Sequence, residues 1–102
     1  MDLSELSADI LLPHVGTVFQ TEAPDGRVHE LRLVNVSKGA DPHISPGATR
    51  DQFSLIFAGP LEPSLRQGAY PMRHAVLDDA PAIFIVPIAR DKDGYRYEAI
   101  FT

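Results

Sequence analysis

The sequence predicts a mainly β protein: a small six-stranded, mostly antiparallel barrel or curled sheet with one short N-terminal helix. Apolar residues recur with a period of two over most of the chain, as in strands whose successive side chains leave opposite faces. Two segments, Pro24-Asp25-Gly26 and Asp91-Lys92-Asp93-Gly94, place strong turn formers between such runs. The 102 residues suffice for a single core, and six short strands around a small core favour closure or strong curling. The whole chain, 1–102, therefore reads as one domain.

Each element has its own warrant. Ser7 is placed to cap a helix over 7–13, with Asp9 suited to its positive end. Pro13 and Gly16 limit that helix to a turn or two, and Ile10 and Leu11 are expected to plug one end of the core. Residues 17–22 and 27–36 form a hairpin around Pro24-Asp25-Gly26. In its second strand Leu31 and Leu33 share one face while Val34 and Val36 share the other. A bulge near Leu33 and Val34 would reset the phase; otherwise both faces are partly covered. Segment 37–52 has no period and is rich in turn formers, so it reads as a long flexible loop.

Strand 53–58 directs Phe53, Leu55 and Phe57 to one face, with Ile56 and Ala58 on the other. Gly59-Pro60 ends it, and the prolines and glycine of 59–67 suit a helix poorly, which argues against an oligonucleotide-binding barrel. Strand 68–74 aligns Tyr70, Met72 and His74, and Pro71 marks an edge or a break in the ladder. Residues 75–81 read as a loop. Strand 82–89 is apolar on both faces, with Phe84, Val86 and Ile88 opposed to Ile83, Ile85 and Pro87. The expected core is Phe53, Leu55, Phe57, Phe84, Val86, Tyr97 and Phe101. The last strand, 95–101, alternates Tyr95, Tyr97, Ala99 and Phe101 with Arg96, Glu98 and Ile100.

The runs Phe53–Pro60, Gln67–Tyr70, His74, Phe84–Ile88 and Tyr97–Phe101 together resemble a family of small bacterial proteins of unknown function, domain of unknown function 6916. The resemblance covers most of the chain. It implies a stand-alone bacterial domain and carries over neither an activity nor catalytic residues. Leu77-Asp78 stands where similar proteins tend to have a glycine after the leucine, so that loop is expected to differ.

Composition excludes several chemistries. Nine Lys and Arg against 14 Asp and Glu leave a net charge of -5, unlike a phosphate-tracking nucleic-acid binder or a polybasic membrane patch. No apolar run approaches the ~20 residues of a membrane-spanning helix. Met1–Leu6 lacks the basic start and long apolar stretch of a secretory leader, so the expected location is cytoplasmic. Without cysteine there is no disulfide, thiolate site or cysteine nucleophile.

Asp91-Lys92-Asp93-Gly94 begins like a calcium loop, but Tyr95, Arg96 and Thr102 stand where that loop needs an acid or amide, a glycine and a glutamate. His14, His29, His43 and His74 share no short ligand spacing. His29 reads as a solvent-facing strand residue. His74 reads as a hydrogen-bonded core histidine, or else as a proton-transfer residue beside Glu98 or Asp78. Asp78-Asp79 is an ordinary solvated pair. No catalytic residues, metal or cofactor are assigned.

The expected function is a non-enzymatic interaction or assembly module of a bacterial or phage-type complex, acting through a protein partner or self-association as a homo-oligomer. Its basis is the double-faced apolarity of 53–58 and 82–89, with Ile83 and Ile85 as the contact residues. The alternative is a small-molecule or carbohydrate binding module using Tyr70, His74, Tyr95 and Tyr97, followed by a small hydrolase. Neither nucleic acid nor a membrane is an expected partner.

Overall fold

The computed structural model describes residues 8–24, 26–38, 53–61, 64–76 and 78–101. A short helix α1 (Ala8–Leu11) runs into a single 3-10 turn (Leu12–His14). Six strands follow: β1 (Val18–Glu22), β2 (Val28–Lys38), β3 (Phe53–Gly59), β4 (Gly68–His74), β5 (Asp78–Asp91) and β6 (Gly94–Phe101). They close into an antiparallel barrel in the order β1-β2-β3-β6-β5-β4. Two three-stranded meanders, β1–β3 and β4–β6, thus meet along two seams. One seam joins β3 to β6 and the other joins β1 to β4. Segment 37–52 falls outside the described residues from 39 onward, as do His43 and the Ser7 cap.

The hairpin turns behave as their residues require. Gly26 has φ +84° and Gly94 has φ +149°, conformations that a side chain disfavours. Asp91 Oδ1 accepts from the N–H of Asp93 at 2.8 Å and of Gly94 at 3.1 Å, so Asp91 and Gly94 pair across a two-residue loop. Gly94 also lies against the Gly59 carbonyl, where a Cβ would collide with backbone. Gly59 is itself wedged under Leu31 and Tyr97.

The β2 phase conflict resolves as a bulge. Pairing with β3 shifts between Leu33 and Asn35, so Leu31, Leu33 and Val36 all enter the core while Val34 turns outward. Pro71 sits at a second shift, between Tyr70 and Met72, inside a closed sheet rather than on an edge. Phe53, Leu55 and Phe57 fill the barrel as expected, with Phe53 stacked on Phe101 at 4.6 Å and Phe19 edge-on to Phe57. Leu11 rather than Ile10 plugs the helix end.

Strand β5 reverses its expected face. Ile83 and Ile85 are buried, whereas Phe84 is 54% exposed, Ile88 is 50% exposed and Val86 is half-buried. The pairing of Tyr70 with Ile83 sets this phase. Strand β5 also begins at Asp78, shortening the loop expected over 75–81. His29 is buried as well, since it shares its face with Leu31 and Leu33.

Candidate functional site

Tyr70 and Tyr97 are inward residues whose hydroxyls meet the segment that precedes β4. Between β3 and β4, Leu65 is buried against the core. The Leu65 N–H donates to Tyr97 Oη at 3.0 Å, and Tyr70 Oη donates to the Arg66 carbonyl at 2.8 Å. Burial pushes the Tyr97 phenol pKa up, the Leu65 N–H pulls it down, and Tyr95 and Tyr70 add to the rise. Tyr95 is half-buried beside Tyr97. The hydroxyls of Tyr70 and Tyr97 thus hold Leu65 and Arg66 in place, and both rings are buried, while Tyr95 is partly exposed.

His74 lies where β4 meets β1. The Val76 N–H donates to its Nδ1 at 3.1 Å. That nitrogen must therefore carry a lone pair, and the ring proton of the neutral imidazole sits on Nε2. Nε2 then donates to Thr17 Oγ1 at 2.8 Å, and Thr17 donates to the His14 carbonyl at 2.5 Å. A general base would need its lone pair on Nε2, facing the hydroxyl. The chain of donors runs the opposite way, so the arrangement is a latch rather than an activated nucleophile. Burial first, and the neighbouring His14 imidazole second, hold the His74 pKa below its ordinary 6.5. Glu98 points from the opposite, outer side of the sheet wall, away from the inward His74.

Thr21 and His29 face each other across β1 and β2, and both are buried. Thr21 Oγ1 and His29 Nε2 have no hydrogen-bond partner among the described residues. Among the described residues no group of three or more His, Asp or Glu stands close enough to hold a metal ion.

Two outer surfaces remain. The first spans β3, β6 and β5. Ile56 pairs with Glu98, and Glu98 pairs with Val86, so these three form one cross-strand row. Phe84 and Ile100, which is 49% exposed, extend the same face. Ile83 and Ile85, the contact residues expected from sequence, lie beneath it in the core. The second surface is a shallow groove of about 370 Å³ over β1, β2, β3 and the β5–β6 turn, with Arg32 and Arg96 on either side of Ala58. The arginine pair escaped the sequence reading because only cross-strand register brings it together.

Fold and surfaces together define a small closed β-barrel domain whose outer wall carries exposed apolar residues and a pair of arginines. The chain belongs to the family described as Domain of unknown function (DUF6916), whose model matches residues 6–101. No curated protein and no solved structure matches it. Among the described residues, no helix is long and apolar enough to cross a membrane.

Proposed function

We propose that the barrel is a non-enzymatic assembly module that pairs with a second copy of itself through the outer β3–β6–β5 face. The observation that supports this most is Phe84, more than half exposed beside Val86 and Ile100, although the barrel fills its core without it. Helix α1 packs against β2 and does not cover this face. The charges along β6 favour a like partner. Arg96 and Glu98 are two residues apart on one strand face. Two β6 strands crossing antiparallel about a two-fold axis would set each Arg96 against the other copy's Glu98. The apolar residues would flank that pair on both sides. The same reading takes the module to act in the bacterial cytoplasm, within a bacterial or phage-type complex.

Light scattering at micromolar concentration tests it. The chain should run at twice its 11.2 kDa mass, and Phe84→Lys with Ile100→Lys should return a folded monomer. Arg96→Glu should dissociate the pair, and Arg96→Glu with Glu98→Arg should restore it. A monomeric wild type at these concentrations would overturn the proposal.

A further inference from the structure

The outer groove offers a site with different chemistry. Arg32 pairs with Ala58 and Ala58 pairs with Arg96, so the two arginines occupy neighbouring positions on either side of one methyl group. Neighbouring strands lie ~4.8 Å apart, a spacing that lets two long guanidinium side chains converge above the strand between them. Neither arginine makes an ion pair or side-chain hydrogen bond among the described residues. Two like charges bordering one groove repel each other, and one anion between them relieves that repulsion while accepting from both forks. Val18, Val34 and Pro60 supply apolar walls, with Val18 and Val34 each more than a third exposed.

The remaining lining residues decide the charge of the ligand. Glu30 and Asp93 also border the groove, and they balance the two arginines. A dianion such as phosphate would meet two carboxylates as well as two guanidinium groups. A monoanion with an apolar body loses less to that repulsion and gains from the walls. We propose that the groove binds a monocarboxylate carried on an apolar chain. Arg32 and Arg96 clamp the carboxylate over Ala58, and the chain lies on Val18, Val34 and Pro60. Arg96 also stands in the β6 row used by the proposed pairing, so the two readings are told apart at Arg32, which lies on β2 outside the β3–β6–β5 face.

The test is a titration of the full chain, labelled with ¹⁵N, with hexanoate, hexanol, hexylamine and inorganic phosphate. Hexanoate should give saturable amide shifts centred on Arg32, Ala58 and Arg96, and should bind roughly tenfold or more tightly than the other three. Arg32→Gln should weaken hexanoate about tenfold or more while leaving the light-scattering mass unchanged. Ala58→Leu, which fills the floor without touching a charge, should abolish the shifts if Arg32→Gln fails to fold. Equal binding of hexanol, tighter binding of phosphate, shifts centred elsewhere, or an Ala58→Leu variant that binds normally would each overturn the site.

Discussion

The same two meanders meet twice, and the two seams differ. Strands β3 and β6 pair without interruption at seven positions, from Phe53 with Phe101 to Gly59 with Tyr95. Strands β1 and β4 share one register pair, Gln20 with Arg73. Behind the long seam stand Phe53, Leu55, Phe57, Tyr97 and Phe101, all buried. At the short seam the ladder is supplemented by side chains, through the Thr17 bond to His74 and the contact of Phe19 with the His74 ring at 4.6 Å. Continuous pairing spreads stability over many small terms, whereas a short seam concentrates it in a few polar contacts. Its strength is then sensitive to pH and to single substitutions.

The sharpest break of the long seam is Phe57→Ala. Phe57 is fully buried and edge-on to Phe19, so its loss should cost about 3–5 kcal/mol in urea unfolding. Phe84→Ala, on the exposed face of β5, should cost under ~1 kcal/mol in the same measurement. Equal costs would show that the two faces of the barrel wall are not distinct.

Thr17→Val tests the short seam. It removes the hydroxyl that accepts from the His74 Nε2–H, a loss of about 1–3 kcal/mol. Hydrogen exchange should quicken at Gln20 and Arg73 more than at Leu55 and Tyr97, because the seam opens locally before the barrel does. Uniform quickening across all four would show that both seams open together.

The smallest effect expected is on pH dependence. Folding lowers the His74 pKa, so the unfolded chain takes up a proton first as pH falls. The neutral ring's contribution is complete above the unfolded value of 6.5 and is lost as pH drops from there toward the folded pKa. A protonated Nδ1 would also confront the Val76 N–H. His74→Gln should flatten this part of the stability curve in chemical denaturation between pH 7 and 5. An unchanged slope would remove His74 as its cause.

Much of the long seam is legible in the sequence, because β3 and β6 carry clean two-residue alternation that ties each apolar residue to one face. The β2 bulge is legible too, since Leu33 and Val36 cannot otherwise share a core. Strand β5 is not, because apolar residues on both faces leave no period to choose between Ile83 and Phe84. Its phase comes from pairing with β4, a relation between distant segments. His29 misleads for another reason: a polar residue type outweighed the strand phase it shares with Leu31. The Thr17–His74 latch and the Arg32–Ala58–Arg96 row depend on register across strands, which no local pattern records.

Closure also decides how the chain can meet its own kind. In the closed barrel every strand has a paired neighbour on each side, so none is an open edge along its whole length. Contact between intact barrels then falls mainly to side-chain faces. Parting Gln20 from Arg73 would bare two ladders at once, those of β1 and β4. Opened barrels could then zip together by strand addition, the first step toward fibrous aggregates. The few polar contacts around His74 thus guard against a loss of solubility as well as a loss of fold.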